Sequence, residues 1–140
     1  ELGFRALELG TFDVTWPLCL NLAEALAATG REHEAIGQID AILASDASTV
    51  STRGHALALK LRLCGAGGGL REQATGLALS TDLVPVRVAI AAALASAEPG
   101  AAADVVGRLL EGVSGEEVPA WQEAQWRLLE PYLHNRVIRS

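Results

Sequence analysis

A glycine-rich stretch, Cys64-Gly65-Ala66-Gly67-Gly68-Gly69-Leu70, is the part of this sequence that most resembles a site for chemistry. Loops of this kind can bind a phosphate group through their backbone amides. A dinucleotide-binding fingerprint would need a third glycine where Leu70 stands, and a P-loop would need a lysine followed by serine or threonine. The stretch therefore predicts a turn between two helices. A small all-α enzyme or ligand carrier that uses this loop is the less favoured alternative.

The histidines and cysteines are too scattered for a metal site or a nucleophilic centre. None of the three histidines has a second ligand at the spacing that a metal ion needs, and neither cysteine has a neighbouring histidine or basic pair that would activate its thiol. We therefore predict surface histidines, no metal ion, no cofactor and no catalytic residue. Cys19 and Cys64 lie in apolar stretches, which predicts two reduced core thiols and a cytoplasmic protein.

Composition and charge narrow the class of partner. The 140 residues include 17 acidic and 11 basic side chains, which gives a net charge of −6, and the basic residues are scattered. Nothing here attracts a nucleic-acid backbone. Residues 83–97 form the longest apolar stretch, which is too short for a membrane span. The chain has no methionine and begins inside a helical pattern, so we expect it to be a piece of a longer protein.

An apolar five-residue pattern returns at a nearly constant interval. It begins at Leu22, at Leu57 and again at Ile90, which are 35 and 33 residues apart. A period of about 34 residues is typical of helical hairpin repeats, which bury their apolar faces by stacking. The sequence therefore predicts an all-α fold of about three helix-turn-helix repeats.

The first repeat has the clearest boundaries. Pro17 stands where a first-turn proline is favoured, and Gly30 is placed to end the helix. Apolar residues then recur on one face of a second helix, at Ala35, Ile36, Ile39, Ile42 and Leu43.

The second and third repeats are more ambiguous. Leucines alternate with other residues from Leu57 to Leu63, as in a strand, but none of these residues is β-branched, which favours a helix. A partner helix is predicted at about residues 70–80, weakened by Gly76. Valine and isoleucine alternate from Val84 to Ile90, so a short strand is an open alternative there, although the alanines that follow favour a helix. A turn at Pro99-Gly100 and a further helix with Val105, Val106, Leu109 and Leu110 complete the third repeat.

The last segment departs from the repeat. Its apolar residues, Trp121, Trp126, Leu128, Leu129, Tyr132, Leu133 and Val137, have helical spacing. Terminal elements of repeat arrays are atypical because they cover the end of the stack. Residues 117–140 are therefore predicted to form a C-terminal capping helix, which Pro131 should kink or split.

These residues resemble a tetratricopeptide repeat. The first repeat fills that family's pattern of large and small residues at Leu22, Ala23, Leu26, Gly30, Ala35, Ile39 and Ile42. The resemblance extends over about residues 16–112, although Gly107 stands where a large residue is expected. It implies a right-handed α-α superhelix with repeats in residues 13–116, preceded by the tail of another repeat in residues 1–12.

The resemblance also implies a function. First helices of tetratricopeptide repeats line a concave groove that binds peptides or helices, and on this chain the groove residues would be Leu20, Glu24, Ala27, Ala28, His55, Leu59, Arg62, Leu63, Val88, Ala92, Ala95 and Ser96. We therefore expect a non-catalytic scaffold that binds an apolar segment of a partner protein. The alternative is a regulatory or substrate-recruiting segment of a larger enzyme or transcription regulator. A homo-oligomer and a larger parent chain are both open.

Overall fold

The protein is helical throughout the residues that its computed structural model describes, which are 15–65, 67–98 and 103–139, with side chains described between residues 16 and 133. These residues form seven α-helices, which we number α1 to α7 in chain order: Thr15–Ala28, Glu32–Ala44, Val50–Cys64, Leu70–Leu79, Val84–Ala97, Ala103–Leu109 and Glu123–Arg139. Two short 3₁₀ helices, Gly115–Glu117 and Ala120–Gln122, precede α7. The predicted repeat tail at residues 1–12 and the predicted turn at Pro99-Gly100 lie outside the described residues.

Helix boundaries follow the sequence signals closely. Gly30 has a φ of 82° and ends α1. The amide of Arg31 donates to the carbonyl of Leu26 at 2.8 Å, and that of Gly30 donates to Ala27 at 3.2 Å. This pair of bonds is a Schellman motif, which satisfies the last carbonyls of the helix and turns the chain into α2. The prediction that Gly30 ends the first helix is confirmed.

Both segments that alternate like strands are helical. Leu57–Leu63 lies inside α3, and Val84–Ile90 begins α5. Burial explains both cases. α5 is buried on all sides from Val88 to Leu94, and α3 supplies buried residues on two opposite faces, so each helix needs apolar residues beyond a single stripe.

Neither Gly76 nor Pro131 ends its helix. Gly76 lies within α4, which continues to Leu79, and α7 continues through Pro131. Proline removes the backbone hydrogen bond to the carbonyl of Arg127, but both residues are exposed, so water can bind that carbonyl. Of the two predicted effects of Pro131, a kink or a split, the split does not occur.

The helices pair as successive hairpins. α1 packs on α2, α3 on α4, and α5 on α6, while α3 also contacts α1 and α5, and α7 contacts α5 and α6. The helix α5 is the most enclosed, since all of its residues from Val88 to Leu94 are buried. Small alanine side chains make this possible, because they let several helices approach one axis.

Two clusters of buried residues hold the array together. The N-terminal cluster joins α1, α2 and α3 and consists of Ala23, Leu26, Ala35, Ile39, Ile42, Ala56 and Leu59. The larger central cluster is built mainly from α3 to α6, with Leu129 from α7. Opposite faces of α3 supply the two clusters, so this helix links them.

The contact between α3 and α5 is unusually close at Gly54. A Cβ atom added to this glycine would lie 2.5 Å from Cγ1 of Val86. Val86 is fully buried and β-branched, so it cannot rotate away easily.

We expect Gly54→Ala to destabilise the fold by roughly 1–3 kcal/mol because it overpacks this contact. The control is Gly37→Ala in α2, where an added Cβ meets nothing within 4 Å. That change should stabilise the fold by about 0.5–1 kcal/mol through helix propensity. Urea unfolding measures both, and similar effects of the two substitutions would contradict the close approach.

Candidate functional site

An open depression lies between the C-terminal halves of α1 and α3. Its volume is about 310 Å³. The residues that line it come from one turn of each helix: Glu24, Ala27, Ala28, Leu59, Arg62 and Leu63. All six belong to the groove predicted from the sequence, and the fold brings them together.

The floor of the depression is apolar and its charged residues lie in the wall. Leu59 is only 4% exposed and also belongs to the N-terminal cluster. Leu63 and Ala27 are half-buried, whereas Glu24, Ala28 and Arg62 are exposed. The Schellman motif after α1 fixes the position of Ala27 and Ala28, because the amides of Gly30 and Arg31 donate to carbonyls of this last helical turn.

Other residues of the predicted groove lie elsewhere. Val88 and Ala92 are buried, at 0% and 5% exposure, so their placement on an open surface is corrected. They belong to α5, which α3 and α7 both contact. Leu20 is half-buried against the N-terminal cluster and does not belong to the lining of the depression.

His55 lies under the C-terminal segment instead of facing an open groove. Its ring centroid is 5.6 Å from that of Trp121, with an angle of 54° between the rings. Trp121 remains 67% exposed, so it covers the histidine while facing solvent. The prediction of surface histidines fails for His55, which is half-buried, and holds for His33, which is exposed.

Gln122 anchors the same segment, and the sequence gives no sign of this role. It is fully buried, and its Nε2 donates to the carbonyl of Pro85 at 2.8 Å and to Oε1 of Gln125 at 3.0 Å. Pro85 is in the first turn of α5. The contact therefore fixes the C-terminal segment on α5 and leaves the α1–α3 side of the array open.

The two charged residues of the depression are unpaired in the described part of the chain. Neither Glu24 nor Arg62 forms a hydrogen bond or an ion pair there, although Lys60, on the same helix as Arg62, binds Asp40 at 2.8 Å. Burial lowers the pKa of His55, and the positive charge of Arg62 lowers it further.

A second depression, between the end of α2, α3 and α4, is somewhat larger, at about 370 Å³, and Arg53, Glu72 and Leu77 contribute to its lining. Arg53 Nη2 donates to the carbonyl of Leu43 at 3.5 Å. Its positive charge therefore lies beside the last turn of α2, where the free carbonyls carry partial negative charge. None of the predicted groove residues lies in this second depression.

The glycine-rich stretch forms a turn between two helices, and both cysteines lie within helices. Residues 67–69 form the predicted turn, and positive φ angles at Gly68 and Gly69 direct the chain into α4. Cys19 is half-buried and Cys64 is exposed, and both are free thiols. Cys64 is therefore not the core thiol that the sequence predicted, because it is the last residue of α3.

Two further properties concern the described residues only. No group of three or more His, Cys, Asp or Glu side chains in residues 16–65, 67–98 and 103–133 could hold a metal ion. Within the same part of the chain, no helix combines the length and the apolar character that crossing a bilayer requires.

Comparison with protein-family models, with curated proteins and with solved structures finds no match for this chain. The likeness to a tetratricopeptide repeat therefore rests on the sequence pattern alone.

The position of His55, which is half-buried, predicts how the stability of the fold depends on pH. The pKa of His55 in the folded protein lies below its ordinary value of 6.5, so the unfolded chain binds the proton first as the pH falls. The stability due to neutral His55 is therefore present above about pH 6.5 and is lost as the pH falls below it.

We expect His55→Gln to flatten the fall in melting temperature between about pH 7.5 and about pH 5.5. His33→Gln, at an exposed position, should keep the slope of the unmodified protein. Equal slopes for the two variants would show that His55 is not the group that titrates.

Proposed function

We propose that this protein is a non-catalytic scaffold that binds an apolar segment of a partner polypeptide in the depression between α1 and α3. One observation carries the proposal: an apolar floor lies open between two helices, with unpaired charges in its wall. Such a surface suits a side chain of a helical or extended peptide. Glu24 is the one residue of the lining that could act as a general base, and no histidine, serine, cysteine or lysine of the lining stands beside it as a nucleophile or second catalytic group.

The size of the depression limits the partner. About 310 Å³ accommodates one or two large apolar side chains. Each contributes about 1.5–3 kcal/mol when fully buried. Two of them give less than the roughly 8 kcal/mol of a micromolar complex, before ordering costs are subtracted. A short segment alone should therefore bind more weakly than about 1 µM.

The proposal includes the shape of the array. Successive hairpins with contacts between α1, α3 and α5 are what a superhelix of tetratricopeptide type would have, with residues 117–140 as its cap. We place the protein in the cytoplasm because its free thiols suit a reducing compartment.

Apolar residues on the outer faces of the end helices favour the alternative, a regulatory or recruiting segment within a larger chain. Leu18 and Leu22 on α1 are 55% and 47% exposed, and Leu128 on α7 is 59% exposed. Further parts of a parent protein, or a second copy, would cover such faces. Analytical ultracentrifugation of the unmodified chain and of Leu18→Gln/Leu22→Gln distinguishes these two occupants. If a second copy covers the face, the unmodified chain sediments as a dimer and the variant as a monomer. If neighbouring sequence covers it, both sediment as monomers.

Binding in the depression is tested by photo-crosslinking. A photo-reactive phenylalanine analogue in place of Ala28 should capture a partner polypeptide, and the same analogue in place of Ala47, which is exposed in a turn away from the depression, should not. Capture at both positions alike would contradict a specific site.

The captured segment, made as a peptide, should bind roughly tenfold more weakly to Leu63→Ala, which corresponds to about 1.4 kcal/mol. Leu128→Ala, at the other end of the array, should bind normally. A charged substitution of Leu59, such as Leu59→Asp, is unsuitable for this test. Leu59 is only 4% exposed, and a charge buried there would unfold the protein. Unchanged affinity of folded Leu63→Ala would place the contact elsewhere.

A further inference from the structure

We infer that residues 114–122, which we call the C-terminal strap, form a latch that lies closed over His55 at neutral pH and opens when His55 binds a proton, while the helices stay folded. The strap contains both 3₁₀ helices and ends at Gln122. It contacts α3 at His55 and α5 at Pro85, whereas the depression lies at the other end of α3. The inference therefore goes beyond the proposed function and does not rest on it.

Little apolar burial holds the strap in place. Leu110 and Leu129 are fully buried, and of residues 111–128 between them, all within the described part of the chain, only Gln122 is buried. Its Nε2 donates to the carbonyl of Pro85, but its buried Oε1 accepts no hydrogen bond from any described residue. A buried acceptor without a donor destabilises the closed strap. Since segments with few buried apolar contacts open locally at a small cost in free energy, the strap can open while α5 and α7 stay packed.

The contact between Trp121 and His55 couples the strap to a titratable group. The two ring centroids are 5.6 Å apart, and the imidazole is half-buried under the indole. Within the described residues, His55 forms no hydrogen bond and no ion pair. A protonated imidazole has two N–H donors, and both need acceptors. Opening of the strap gives water access to the ring, so the protonated form favours the open strap.

The charged groups around α3 do not offset the burial of a protonated His55. On the strap, on the residue after it and on the helices packed against α3, the acidic side chains are Glu24, Glu32, Glu34, Asp40, Glu72, Glu116, Glu117 and Glu123. The basic ones on these elements are His33, Arg71 and Arg87. None of these described side chains forms an ion pair with His55.

The direction of the pH effect follows from burial. Burial lowers the pKa of His55 below its ordinary value of 6.5, and the positive charge of Arg62 lowers it further. Arg62 lies on the same helix as His55, so it acts whether the strap is closed or open, and opening removes only the burial. The pKa of His55 is therefore lower with the strap closed than with the strap open. Closing is favoured above about pH 6.5, and this preference is lost as the pH falls below that value.

The test follows the isotope-labelled full chain by nuclear magnetic resonance at about pH 7.5 and about pH 5.5. We expect a nuclear Overhauser contact between the rings of His55 and Trp121 at the higher pH and its loss at the lower one. The amide of Gln122, which donates to the carbonyl of Pro119 at 2.9 Å, should lose protection from hydrogen exchange over the same range, after correction for the intrinsic effect of pH. Amides of Val88 to Leu94 in α5 should stay protected.

Three substitutions identify the cause. His55→Gln removes the titrating group, so the Gln122 amide should have the same protection at both pH values. His33→Gln, at an exposed position, should behave like the unmodified chain. Gln122→Ala removes the anchor, so the ring contact between His55 and Trp121 should be lost already at the higher pH, while α5 stays protected.

Several results would overturn the inference. One is protection of the Gln122 amide that does not change with pH, or that changes as strongly in His55→Gln. Another is greater protection at the lower pH, which attraction between an imidazolium and the face of an indole would give. A third is persistence of the ring contact in Gln122→Ala. If α5 loses protection together with the strap, the fold opens as a whole and the strap is not a latch.

Discussion

The close approach of α3 and α5 is the constraint on which the rest of the structure depends. At Gly54 there is no side chain, and Val86 occupies the space that one would fill. α3 also packs on α1 and α2, and α5 on α6 and α7, so this one contact relates the two ends of the array. Because packed interiors transmit displacement, a shift here would also move the turn of α3 that carries Arg62 and Leu63.

The two ends of the array differ in what covers them, and this difference locates the site. On the C-terminal side, Gln122 donates to the carbonyl of Pro85 in α5, and the ring of Trp121 lies at a tilted angle against His55 of α3, so the segment before α7 contacts both helices. On the N-terminal side, the last turn of α1 and the last turn of α3 stay apart over an apolar floor. Among the described residues, six of the predicted groove residues thus line an open depression between α1 and α3, while Val88 and Ala92 are buried.

Local signals in the sequence predicted the helices well. Gly30 ends α1 because it has the left-handed conformation that a Schellman motif needs, and the glycine turn before Leu70 separates α3 from α4. Such features depend on nearby residues, so they are readable from spacing alone. The depression was partly predictable for the same reason, since Glu24, Ala28 and Arg62 follow from their repeat positions.

What the sequence left out depends on packing between distant segments. Val88 and Ala92 were assigned to the groove by resemblance, but they are buried in α5, a helix that α3, α4, α6 and α7 all contact. No motif or spacing in the sequence marks Gly54 as a close helix contact or Gln122 as a buried anchor. Their roles come from Val86 and Pro85, about 30 residues or more away in the chain, and no local pattern records such pairs.

The unequal sizes of the two buried clusters have a consequence for motion. Among the described residues, the N-terminal cluster is the smaller one and ties α1 and α2 to a single face of α3, whereas the central cluster joins several helices. Small cooperative units open more readily than the whole fold, so amide hydrogens in α1 and α2 should exchange with solvent sooner than those in α5. The depression spans the seam between α1 and α3, so a bound segment would act as a brace that slows this local opening without altering the slow exchange of α5.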